Sequence, residues 1–128
     1  MRILLDTHAF LWFDAEPDRL SNRCKNLLRD ENNLFFLSVA SVWEIQIKSQ
    51  LGKLALRLPL PSLIADQEDN LGLQILQITP SHVYALQNLP DIHRDPFDRI
   101  MIAQARMEDL PFVSNDSVFR GYPIQQVW

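Results

Sequence analysis

Short apolar runs, separated by stretches of helical periodicity, restrict what this chain can fold into. Arg2-Ile3-Leu4-Leu5, Leu34-Phe35-Phe36-Leu37 and Leu73-Gln74-Ile75-Leu76 have the length and side-chain types of buried strands. Two more runs, 111 to 114 and 124 to 127, close the chain. Between the first two lies an apolar helical turn, Ala9-Phe10-Leu11-Trp12-Phe13, broken by Asp14-Ala15-Glu16-Pro17-Asp18. Leu20, Cys24, Leu27 and Leu28 then predict a helix over about 19 to 31, ended by Asn32-Asn33. Ser38 or Ser41 is placed to cap the next helix, over 39 to 50, with Gly52 as its stop. A loop or short hairpin is expected over 53 to 60 and a helix over about 62 to 70. Thr79-Pro80-Ser81 starts a helix that Pro90 closes, and Asp95-Pro96 opens the last one. Strands alternating with helices imply an α/β fold with a mainly parallel central sheet covered on both faces. No repeat or linker divides residues 1–128, so a single domain is expected.

With 47% hydrophobic residues the chain can fill such a core. The single cysteine, Cys24, leaves no intrachain disulfide and no zinc spacing, as in a reducing, cytoplasmic compartment. The apolar run at Met1 is too short for a signal peptide, and no stretch approaches the roughly 18 apolar residues of a membrane helix. A net charge of −4 argues against a broad basic face for duplex nucleic acid. It leaves room for a nuclease whose bound divalent ions offset the excess locally.

Four acids stand where a strand-like run ends or a helix begins: Asp6, Glu44, Asp98 and Asp116. In an open α/β sheet, functional groups gather outside the carboxyl ends of the strands, so these four are candidates for one cavity. Two charges about 4 Å apart repel by roughly 4 kcal/mol at an effective dielectric near 20. Such a cluster therefore calls for a divalent cation with oxygen ligands.

Each acid also has an ordinary structural reading. Asp6 fits an N-cap, and Ser41-Val42-Trp43-Glu44 fits a capping box. Asp116 lies in the turn-like Ser114-Asn115-Asp116-Ser117. In Asp95-Pro96-Phe97-Asp98 we assign Asp95 to the cap and Asp98 to the cavity. The coincidence of four such positions in one small sheet protein favours a shared task. His8, His82 and His93 are dispersed, with His8 and His93 expected at most at a cavity rim. Thr7, Ser38 and Ser114 suit hydrogen-bond support of carboxylates, since nothing here spaces a Ser/His/Asp triad.

Four blocks carry a family resemblance: Leu5-Asp6-Thr7-His8, Ser38-Val39-Ala40-Ser41-Val42-Trp43-Glu44-Ile45, His93-Arg94-Asp95-Pro96-Phe97-Asp98-Arg99 with Ile102-Ala103-Gln104-Ala105, and Val113-Ser114-Asn115-Asp116. In order and at this spacing they resemble the signature blocks of PIN-domain ribonucleases, and more narrowly the VapC toxins of VapBC toxin–antitoxin pairs. The resemblance implies a three-layer α/β/α Rossmann-like PIN fold. It also implies a metal-dependent endoribonuclease acting on RNA in the bacterial cytoplasm and silenced by a VapB-type antitoxin. By motif position Asp6, Glu44 and Asp98 match the core acidic triad and Asp116 the more variable fourth acid.

Those carboxylates would hold one or two Mg²⁺ or Mn²⁺ ions. Arg94, Arg99, Thr7, Ser38 and Asn115 are candidates on the substrate side; for Arg99, pairing with Asp95 or Asp98 stands as the alternative to phosphate binding. Lys48, Lys53 and Arg57 either extend a path for a single strand or are plain solvated surface. Members of this family usually pair with themselves as well as with an antitoxin. Phe10, Leu11, Trp12, Phe13 and the helix at 39 to 50 are candidates for those contacts, with core packing as the alternative. Two other functional classes compete: a non-catalytic module that binds a basic protein partner through its acidic cleft, and an aspartyl-phosphate enzyme with Asp6 as nucleophile. The latter wants a late lysine, and none follows Lys53.

Overall fold

The computed structural model describes residues 1–128 and contains five parallel strands. They are β1 (Arg2–Leu5), β2 (Leu34–Ser38), β3 (Gln74–Leu76), β4 (Phe112–Val113) and β5 (Gln126–Val127), in the order β3-β2-β1-β4-β5. Six helices connect them: α1 (Thr7–Ala15), α2 (Asn22–Arg29), α3 (Val39–Gln50), α4 (Leu60–Leu71), α5 (Pro80–Ala85) and α6 (Pro96–Met107). The strand order reverses at β1, whose neighbours are β2 on one side and β4 on the other, so a crevice opens beyond its carboxyl end.

Strand alternation creates the three layers. Ile3 and Leu5 of β1, with Phe35 and Leu37 of β2, pack among Ala9, Phe10, Cys24, Leu28 and Leu63 on the face covered by α1, α2 and α4. Leu4, Phe36 and Phe112 point the other way, into Met101, Ile102, Ala105, Phe119 and Tyr122. Each large apolar side chain buried this way contributes about 1.5–3 kcal/mol relative to exposure. No helix is long and apolar enough to cross a membrane.

Several boundaries differ from the sequence expectation for local reasons. The helix expected over 19 to 31 shortens to α2 because Ser21 accepts a capping bond from the Cys24 amide at 3.1 Å, and Pro17–Arg19 forms a separate 3-10 turn. Pro59 and Pro61 start α4 two residues early instead of breaking the chain, while Gly72, at φ 68°, ends it in the left-handed conformation. Of the loop or short hairpin expected over 53 to 60, the loop forms, and Leu60 already belongs to α4. The helix after Thr79 tightens into a 3-10 turn at Leu86–Asn88. An unexpected 3-10 helix, Ser117–Gly121, fills the connection from β4 to β5. Phe10 is fully buried in the core, which removes it from the candidate contact surface.

Candidate active site

Register brings the first and last acidic blocks together. Leu5 pairs with Val113, and the Asp6 amide donates to the Val113 carbonyl at 3.0 Å, so Asp6 emerges beside Ser114. The Asp6 carboxylate divides its work between two oxygens. Oδ1 accepts from the Thr7 amide at 2.8 Å and caps α1; Oδ2 accepts from Ser114 Oγ at 2.8 Å. Capping and site membership are thus compatible. Burial at 5% exposure pushes the Asp6 carboxyl upward in pKa, against those two bonds and the nearby His8, while the charge of Glu44 adds to the rise.

Glu44 reaches the same space from α3. The capping box does not form: Ser38 caps α3 by accepting from the Ala40 amide at 3.1 Å, and Ser41 lies inside the first turn. Glu44 is therefore free to turn inward, where it is 6% exposed. Thr7 Oγ1 lies 2.8 Å from both Glu44 Oε1 and Ser41 Oγ, and its one proton goes to the carboxylate. Lys48, one helical turn on, donates to Glu44 Oε2 at 2.8 Å. Of the three hydroxyls expected to support carboxylates, Thr7 and Ser114 do so, and Ser38 serves as a cap.

Asp98 comes from the first turn of α6. Asp95 caps that helix, its Oδ1 accepting from the Asp98 amide at 3.0 Å. Asp98 Oδ2 shares a 2.8 Å hydrogen bond with His93 Nε2. Burial first, then the charge of Asp95 and those of Asp6 and Glu44, push the Asp98 carboxyl up to about 7, against the His93 bond. Asp6, Glu44 and Asp98 therefore share one electrostatic neighbourhood.

Asp116 is exposed and caps the 3-10 helix, Oδ1 accepting from the Val118 amide at 3.0 Å. Its link to the other acids runs through Ser114, whose hydroxyl donates to Asp6 and accepts from the Asp116 amide at 3.1 Å. With His8, Trp12, Arg19, Asn115 and Ser117 it lines an open hollow of about 560 Å³.

The basic residues divide. Arg94 is exposed. Arg99 meets neither of its expected partners: its guanidinium donates to the carbonyls of Leu86, Pro90 and His93. Arg57 is paired with Asp14 and Asp66, away from the acids, and these bonds hold it charged. Sequence reasoning missed Lys48 as a partner of Glu44, although the i,i+4 spacing was the available signal. It also left His93 at the rim, whereas one ligand atom each from His93, Asp95 and Asp98 lie within 4.8 Å of one another.

Carboxylate oxygens dominate this donor set, as a hard divalent cation requires. The Lys48 ammonium against buried Glu44 shows that the space already draws positive charge. The residues fit such an ion.

The PIN domain family model matches residues 3–124. Ribonuclease VapC22 of Mycobacterium tuberculosis (strain ATCC 25618 / H37Rv) is 26% identical over 121 residues, covering 94% of this chain and 91% of that protein. The crystal structure of VapBC2 from Rickettsia felis, bound to a DNA fragment from their promoter, is similar with a TM-score of 0.75 at 18% identity, covering 99% of this chain and 98% of that one. FitAcB from Neisseria gonorrhoeae is similar with a TM-score of 0.66 at 18% identity, over 100% of this chain and 97% of that one. At these identities the two structures bear on the fold.

Proposed function

The chain belongs to the PIN domain family, and from that premise we propose that it is a Mg²⁺- or Mn²⁺-dependent endoribonuclease serving as the toxin of a toxin–antitoxin pair. The observation that carries this reading is that Asp6 and Glu44, linked through Thr7, both lie near enough to Asp98 for their charges to raise its pKa, although the three come from separate segments. Residues 1–128 constitute one such domain, acting on RNA in the bacterial cytoplasm.

Asp6, Glu44 and Asp98 would hold the ion, with Asp116 at the edge. When bound, a divalent cation neutralises phosphate charge and makes water more acidic. The protein's own share is positioning. Ser114 and the Thr7 amide fix both oxygens of Asp6, and the Thr7 hydroxyl fixes Glu44. The His93 imidazole fixes one oxygen of Asp98 at 2.8 Å. Exposed Arg94 and Asn115 stand where an approaching strand would meet them.

A VapB-type antitoxin is the proposed partner, supported by the VapBC complexes among the similar structures. Leu11, Trp12 and Phe13 are half-buried on α1, and Trp43 of α3 is 62% exposed, which leaves apolar surface for the antitoxin and a second copy. Incubating the protein with total RNA, with and without Mg²⁺ or Mn²⁺, tests the activity. Cleavage that needs the ion and vanishes in Asp98→Asn supports it; ion-independent or absent cleavage removes it.

A further inference from the structure

The segment between the 3-10 turn at Leu86–Asn88 and α6 has no regular structure of its own, yet it carries His93 to Asp98. What holds it is unusual for an arginine beside an acidic site. Arg99 Nη1 donates to the Pro90 carbonyl at 2.9 Å and the His93 carbonyl at 3.3 Å, and Nη2 to the Leu86 carbonyl at 3.3 Å. Tyr122, buried among Met101 and Phe119, accepts from the His93 amide at 2.8 Å through its phenolic oxygen, which also lies 3.5 Å from Arg99 Nη1. Ile92 lies over Gly121, where a Cβ would sit 2.6 Å from its Cδ1.

We infer that Arg99 and Tyr122 are positioning residues, which pin the backbone on both sides of His93 so that its imidazole holds one oxygen of the Asp98 carboxylate in place. The inference rests on the ribonuclease reading for its consequence in catalysis. With main-chain carbonyls taking its donors, Arg99 acts through the loop and not on phosphate. A guanidinium spans several carbonyls with a rigid fork, which a lysine ammonium cannot reproduce. The phenolic oxygen supplies the one buried acceptor for the His93 amide, so its removal frees the loop where Asp98 needs it fixed. A bond from His93 to Oδ2 decides which way the carboxylate plane faces, and small errors in such orientation are costly in rate.

Tyr122→Phe keeps the ring in the core and removes only the oxygen. Its expected effect is a drop in kcat of about tenfold with KM for RNA unchanged, matched by His93→Ala and Arg99→Lys. In the His93→Ala background, Tyr122→Phe should add nothing. Equal losses with and without His93, or a raised KM with weaker salt dependence in Arg99→Lys, would overturn the inference. A second readout needs no activity: in cation-free protein, Asp98→Asn should shift the His93 imidazole NMR signals, and should leave them nearly still once Tyr122→Phe is present. If wild-type protein cleaves no RNA, the ribonuclease reading fails, and the NMR comparison alone decides whether Tyr122 positions His93.

Discussion

Lys48 Nζ lies 2.8 Å from Glu44 Oε2, one turn along α3, and supplies the positive charge closest to a carboxylate that is 6% exposed. The same pairing also occupies one of the oxygens a metal ion would use.

Replacing Lys48 by Met should therefore act in two directions. Cation-free stability should fall by about 1 kcal/mol, a value reduced for the partial exposure of the ammonium. The rise in melting temperature on adding Mn²⁺ should grow, because the ion no longer competes with the ammonium. Thermal melts with and without Mn²⁺ measure both, and a smaller Mn²⁺ response would show that Lys48 assists the ion.

The raised Asp98 pKa gives a pH dependence with a definite sign. Its folded value of about 7 lies above the ordinary 3.8, so the native state holds the proton more tightly than the unfolded chain. This contribution is fully present below about pH 4 and is lost as pH rises to about 7. Cation-free unfolding in denaturant, after the baseline of Asp98→Asn is subtracted, should show stability declining across that window. A flat difference between the two proteins refutes the shift.

Asp6→Asn should abolish ion-dependent RNA cleavage while raising the cation-free melting temperature by about 2–5 °C. The rise follows from burial, which disfavours the charged form, while the Asn oxygen can still cap α1. Retained cleavage would remove Asp6 from the site, and a large fall in melting temperature would mean that its negative charge supports the fold.

Arg57 separates support of the fold from contact with RNA. Its partner Asp14 is 2% exposed at the side chain and also accepts from Gln67 Nε2 at 2.8 Å. Arg57→Met should lower the melting temperature, and at a temperature where the variant stays folded kcat and KM should match wild type. A raised KM would restore Arg57 to a path for the RNA strand.

Much of this arrangement was legible in the residues. Ile3, Leu4 and Leu5 announced a strand buried on both faces, and Asp95-Pro96 announced α6 with its cap. Thr7 and Ser114 sit next to their carboxylates in ways that residue type and position anticipated. Glu44 was harder. Its capping-box pattern is genuine, but β2 delivers Ser38 to the cap first, and Ser41 turns inward toward Thr7 and Met101 Sδ, 3.2 Å away. Arg99 and His93 were not legible, because their partners are main-chain carbonyls and a carboxylate brought near by loop folding, which follows no periodicity.

The bond from Ser114 to Asp6 joins residues 108 positions apart, and central β1 acquires its β4 neighbour only near the end of the chain. Asp6 gains its Ser114 partner only once β4 exists to pair with β1. An acidic space that leans on this bond is therefore assembled late, only after strands far apart in the sequence have paired across the sheet.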